Sequence, residues 1–254
     1  MVPNRVNVRF GIACSAVLLM ATATSAVAAT PTAVLVELFT SEGCSDCPPA
    51  ESFLRALDHA QPVPGEQLIV LEEHVDYWDD QGWKDPFSAH AFTVRQGQYV
   101  ERLDAGRGAY TPQMVVDGSE SFVGSNRADA ARAFQKQLPV PKVSIELSPV
   151  HAEKGQLSLR VVTGASPAKA EVFAALALDQ AESQVARGEN GGKHLEHVAV
   201  ARRITKVGEI KKGEQLSQNV SLPVEKRPEP QRVVIFLQQP GGGKILGAAV
   251  SRIP

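Results

Sequence analysis

The chain has 254 residues, of which 43% are hydrophobic and 21% charged, and it carries a formal charge of -2. That composition suits an ordinary globular protein with one large or two modest cores. It excludes a basic surface built to hold nucleic acid or acidic lipid, and after the N-terminal leader no segment is long and apolar enough to span a bilayer.

Residues 1–29 combine Arg5 and Arg9, an apolar run and Ala26-Val27-Ala28, the three-part layout of a secretory signal peptide with cleavage expected after Ala28 or Ala29. Cys14 precedes most of the apolar run, which is the wrong place for the acylated cysteine of a lipoprotein. The mature chain then carries Cys44 and Cys47 alone into an oxidising periplasmic or secreted compartment.

Residues 33–39 (AVLVELF) are nearly continuously apolar apart from Glu37, as in a strand buried on both faces. After a polar turn come Cys44-Ser45-Asp46-Cys47, then Pro48 and Pro49, which a helix tolerates in its first turn. Phe53, Leu54 and Leu57 fall on one helical face. Residues 61–65 end that helix, and residues 67–75 (QLIVLEEHV) form the next strand, so the unit is a right-handed parallel crossover.

Residues 76–85 hold Tyr77, Trp78 and Trp83, which pack this insertion onto the sheet or, alternatively, wall a peptide site beside Cys44. A helical pattern covers residues 87–103. Tyr110-Thr111-Pro112 leads into a hairpin over 113–116 and 121–123 with its turn at Asp117-Gly118. Asn126 caps a last helix, which runs through Leu138 until Pro139 and Pro141 stop it. Beyond Val140, alternating runs separated by Gly and Pro turns point to a separate antiparallel β domain. Asn190-Gly191-Gly192 reads as a turn, as do residues 241–243. His194 and His197 lie three apart on a strand and so point to opposite faces, which argues against a shared metal.

Cys44 is expected exposed at the helix N-terminus, where the dipole lowers its pKa, with Cys47 one turn in and shielded. Cys44 is then the nucleophile that attacks a partner's disulfide, and Cys47 resolves the mixed disulfide. Glu42 and Asp46 oppose thiolate formation, which predicts a reductant-like or intermediate potential. Glu37, buried among apolar neighbours, either shuttles the proton of Cys47 or pairs with an arginine or backbone donor. The competing metal site takes Cys44, Cys47 and His74, at the end of the second strand, as copper ligands.

The order strand, helix, strand, helix, hairpin, helix, with Cys-x-x-Cys after the first strand and Thr-Pro before the hairpin, resembles the thioredoxin fold. The resemblance implies a cis Pro112 against the cysteines and a Thr111 backbone free to pair with a substrate chain. VELFTSEGCSDCPPAE (36–51), HVDYWDDQGWKDPF (74–87), FTVRQGQY (92–99), YTPQMVVDG (110–118), and RGEN followed by HLEHVAVAR (187–202) together resemble an exported bacterial thioredoxin-like family catalogued as a domain of unknown function (twelve-twenty-three). The resemblance implies fold and dithiol but no substrate.

The expected architecture is therefore an α/β thioredoxin-like domain over 30–139 followed by an all-β, sandwich-like domain over 140–254. The expected function is an exported thiol-disulfide oxidoreductase using Cys44, Cys47, Thr111, Pro112 and Glu37, with no bound cofactor. Its partners are exported protein thiols or disulfides and a redox protein that resets the dithiol, with no nucleic acid and no membrane span after signal cleavage. The alternatives are a copper-binding or copper-delivery module and a non-catalytic interaction scaffold.

Overall fold

The computed structural model describes residues 1–2, 32–103 and 108–254, so the expected signal peptide and Cys14 lie outside the described residues. Strand β1 (Thr32–Thr40) leads through the cysteine loop into helix α1 (Pro48–Ala60). Cys47 is the N-cap, with φ -78° and ψ -38° and no side-chain cap bond. Pro48 and Pro49 fill positions whose N–H groups would have no intrahelical partner. At the far end Gln61 adopts φ 45°, and its side chain both donates to and accepts from the backbone of Leu68, which ties α1 to strand β2 (Glu66–His74).

Helix α2 (His90–Leu103) begins later than the pattern from residue 87 predicts. Asp85 accepts the Phe87 N–H at 2.8 Å and holds residues 85–88 as a turn instead. Strands β3 (Gln113–Val116) and β4 (Glu120–Val123) form the expected hairpin. Helix α3 (Arg127–Gln137) starts at Asn126, whose side chain accepts from Ala128 and Asp129 as the N-cap residue type predicts.

The rest of the described chain is β: β5 (Ile145–Leu147), β6 (His151–Glu153), β7 (Gln156–Thr163), β8 (Ala170–Gln184), β9 (His194–Ile210), β10 (Ser217–Pro223), β11 (Gln231–Gln238) and β12 (Ile245–Ile253). These strands correct the expected fold class. An α/β thioredoxin-like domain followed by a separate all-β domain is not found. The protein is mostly β, with one eight-stranded mixed sheet in the order β12-β11-β8-β9-β2-β1-β3-β4 running through both halves. A smaller sheet, β10-β7-β5 with β6 alongside β7, covers part of it. Among the described residues there are three helices. The seam is a parallel pairing of β2 with β9 at Glu72 and Val200. No signal local to either strand could announce this pairing, because an edge strand and an interior strand differ in what lies beside them.

Strand alternation sorts the core. Val34, Val36 and Leu38 of β1, with Leu68 and Val70 of β2, face α1 and α3 and also pack on Val198 and Ala199 of β9. The odd-numbered side, including Phe39, faces Tyr99 of α2. Val172, Leu176, Val233 and Ile235 meet Leu157, Leu159 and Val161 of the smaller sheet. Ile245 and Ala248 of β12 cluster with Leu35 of β1, and Ile245 N–H donates to Asp117 O at 2.9 Å, so the large sheet curls back on itself. Among the described residues no helix is long and apolar enough to cross a membrane.

Candidate functional site

Cys44 and Cys47 are joined in a disulfide with their Cα atoms 5.5 Å apart, within the usual range for such a bond. The expectation of an exposed Cys44 is corrected: its exposure is 2%, against 0% for Cys47, while Ser45 and Asp46 between them face solvent. The cover comes from the far half of the chain. Asn190, on the loop between β8 and β9, donates from Nδ2 to both Glu42 O and Cys44 O at 2.9 Å. Glu189 Oε2 accepts the Ser45 N–H at 2.9 Å, and Lys193 Nζ holds Asn190 Oδ1 at 2.8 Å. Gly188 allows this loop to lie against Trp83, since a Cβ there would stand 3.1 Å from the Trp83 Cβ.

The aromatic segment packs against the same loop. Trp78 Nε1 donates to Thr111 Oγ1 at 2.9 Å, and its Cβ closes on Gly43, next to Cys44. Trp83 Nε1 donates to Glu42 Oε2 at 2.6 Å. The Thr111-Pro112 bond is cis, as expected. Gly124 brings Pro112 and Ala50, in the first turn of α1, to the same point.

On the α1 side of β2 lies a buried cluster of acids and histidines. His74 Nδ1 meets Asp85 Oδ2 at 2.7 Å, and His74 Nε2 faces Glu72 Oε1 at 3.4 Å. His197, arriving on β9, places Nδ1 at 2.7 Å from the same Glu72 oxygen and Nε2 at 3.3 Å from Glu42 Oε1. Thr40 donates to Glu51 Oε1 at 2.7 Å, and Glu51 Oε2 stands 3.9 Å from His197 Nδ1. Burial disfavours both imidazolium ions, but Asp85 and Glu72 outweigh it and raise His74 to about 9, while Glu72, Glu42 and Glu51 raise His197 to about 11. Burial, then the nearby Glu72 charge, raises Glu51 to about 7. For Glu72, burial is outweighed by the two histidines, and its carboxyl falls to about 2.

The other face of β1 and β2 carries a second polar cluster. Glu37 accepts from Arg95 Nε and from Tyr99 Oη, both at 2.6 Å, while Gln238 links to Arg95 and Tyr99 at 2.9 and 2.8 Å. Burial, followed by the neighbouring Glu37, pushes the Glu73 carboxyl well above its usual range. Glu37 therefore takes the arginine-paired alternative and lies across the sheet from α1 and Cys47, where it cannot serve as their proton shuttle. His74 points to Glu72 and His197. Among the described residues these are the three whose ligand atoms converge, and neither cysteine belongs to the set. The copper site of Cys44, Cys47 and His74 is thus not assembled.

His194 and His197 do part, His194 to an exposed contact with Glu182 and His197 to the interior. The joining of His197 to His74, and the clamp of Asn190 on the cysteine loop, escaped sequence reasoning. The available signal was the family resemblance, which is carried by RGEN and HLEHVAVAR at 187–202 as well as by the cysteine motif.

Fold and site define a mixed-sheet protein with a covered Cys-x-x-Cys disulfide beside a buried carboxylate–histidine cluster. The chain belongs to the family described as "Protein of unknown function (DUF1223)", whose profile matches residues 35–238. Among solved structures, protein AGR_C_4864 from Agrobacterium tumefaciens is similar at 25% identity, with a TM-score of 0.67 over 88% of this chain and 95% of its own. The sporulation control protein Spo0M from Bacillus subtilis matches at 15% identity over 44% of this chain and 47% of its own, with a TM-score of 0.29. No curated protein matches the sequence.

Proposed function

We propose that this protein is an exported thiol-disulfide oxidoreductase whose Cys44–Cys47 centre reacts with protein substrates when the 187–190 loop lifts. One observation carries the reading: a Cys-x-x-Cys disulfide at the start of α1 is covered by a separate loop, held to it through hydrogen bonds of Asn190 and Glu189. Such bonds contribute about 1 kcal/mol each, so the cover opens without unfolding the sheet. In the reduced protein the Cys44 thiolate attacks a substrate disulfide and one substrate thiol leaves. Cys47 then attacks the Cys44 sulfur, releases the second substrate thiol and restores the Cys44–Cys47 bond. Two electrons pass to the substrate, and an exported redox partner returns them. Glu42, Asp46 and Glu189 place negative charge around Cys44, which gives the thiolate little stabilisation and favours a reductant-like or intermediate potential.

The test is trapping with the Cys47→Ser variant in its host compartment, combined with the rate at which a small dithiol reduces the disulfide in wild type and in Asn190→Ala. Mixed disulfides through Cys44, and reduction about tenfold faster without the Asn190 amide, are expected. If no partner is trapped and Asn190→Ala leaves the disulfide as inert as before, the bond is a structural staple in an interaction scaffold. A potential matching the strongest periplasmic oxidants overturns the charge argument.

A further inference from the structure

We propose that Glu72, His74 and His197 form a binding site for one divalent first-row transition ion of the zinc class. One ligand atom from each lies within 4.8 Å of the other two, and all three residues are buried; Glu72 Oε1 faces both His74 Nε2 and His197 Nδ1. Ligands held about 2.0–2.1 Å from a tetrahedral ion stand roughly 3.3 Å apart. From Glu72 Oε1 the separation to His74 Nε2, 3.4 Å, already matches, while that to His197 Nδ1, 2.7 Å, must open by about 0.6 Å to admit an ion.

The surroundings match what ligating histidines require. Metal-bound imidazoles give their remaining nitrogen to a carboxylate or carbonyl that fixes the ring. Asp85 does this for His74 Nδ1, and Glu42 stands in that position for His197 Nε2. Both carboxylates are anchored in turn, Asp85 by the N–H groups of Glu42 and Phe87, Glu42 by the Trp83 indole. An ion-pair network without metal explains the charges but leaves the fully buried His74 Nε2 with only a long contact to Glu72 Oε1, 3.4 Å away, and no hydrogen bond of good geometry among the described residues. That nitrogen points at the place where the other two donors meet.

Glu51 Oε2, 3.9 Å from His197 Nδ1, is placed to supply a fourth ligand, and Thr40 fixes its other oxygen. Two imidazoles with carboxylate oxygen suit zinc, iron, cobalt or nickel better than calcium or magnesium, which take oxygen, or copper(I), which prefers thiolate and thioether sulfur. A surface cavity of about 600 Å³ bordered by Arg55, Asp58 and Glu196 lies beside His197, whose imidazole is itself buried. The site draws on both halves of the chain, and no single sequence motif contains it.

The experiment titrates the full, chelator-stripped protein with zinc and with cobalt(II), keeping the disulfide intact so that no thiolate can contribute. This also separates the result from the redox reading. One ion per chain is expected, with cobalt d–d bands, no sulfur-to-cobalt charge transfer, and a rise in Tm on zinc addition. His74→Ala and His197→Ala should each weaken binding at least about a hundredfold, and Asp85→Asn about ten- to a hundredfold. The wild-type titration stands even if a variant fails to fold. Failure of the folded wild type to bind either ion more tightly than about 10 μM, or undiminished binding in a folded His197→Ala, overturns the site.

Discussion

Glu72 and Glu73 are neighbours in sequence, yet the alternation of β2 sends one carboxylate to the histidines and the other to Arg95. That much was legible in QLIVLEEHV, since two adjacent acids in a doubly buried strand must each find a partner. Which partner was not legible, because His197 and Arg95 come from distant elements. Glu37 shows the same limit: its burial was readable, and its pairing with Arg95 over a proton role was not. Glu66, at the start of β2, is buried with neither carboxylate oxygen hydrogen-bonded among the described residues. Burial, with the charge of Asp117 added, raises its pKa from 4.5 to about 7. A carboxyl raised in the folded state favours folding below its unfolded pKa and loses that contribution as pH climbs from about 4.5 to 7. Glu66→Gln should therefore gain stability over wild type by about 1 kcal/mol at pH 8, a figure reduced for solvent screening, and gain nothing at pH 4. Urea unfolding at the two pH values checks it, and a gain independent of pH would contradict the assignment.

At the scale of elements, the turn from β1 into α1 was readable almost residue by residue: strand, cysteine pair, two prolines in the first helical turn, then an apolar face of Phe53, Leu54 and Leu57. The cover over the cysteines was not, because Asn190-Gly191-Gly192 has the composition of any turn and its partners lie some 145 positions away. The start of α1 is also held from a third side, at Gly124 after β4. A Cβ there would stand 2.7 Å from Leu38 Cδ1, 3.1 Å from Ala50 Cβ and 3.3 Å from Pro112 Cβ. The leucine methyl can turn away, but the Ala50 and Pro112 carbons move only with their backbones. Gly124→Ala should therefore destabilise the protein by about 1–2 kcal/mol, the overpacking cost exceeding the smaller gain from a less flexible unfolded chain. A denaturation midpoint equal to or above wild type would show that α1 is free to shift.

For the whole molecule, the change of texture at Val140 marks a change in what covers a sheet that both halves share. The helices α1 and α3 cover β1 and β2, and the smaller sheet takes over beyond β9. The halves meet at the β2–β9 pairing, at Val198 and Ala199 against α1's core, and where Ile245 and Lys142 both reach Asp117. Residues 32–139 alone would lose the His197 partner of Glu72, uncover the β2 edge at Glu72 and lose Val198 and Ala199 from the α1 core. One cooperative transition is therefore expected on urea unfolding, and the tryptophans make this measurable. Trp78 packs on Gly43 in the first half and Trp83 on Gly188 of the β8–β9 loop, so fluorescence reports the first half and its contact with the second, whereas far-UV circular dichroism also registers the long strands of the second. The two signals should give the same midpoint and slope. A fluorescence transition completed at lower urea than the dichroism change would mean that the seam at Glu72 and Val200 parts first and that the halves fold as separate units.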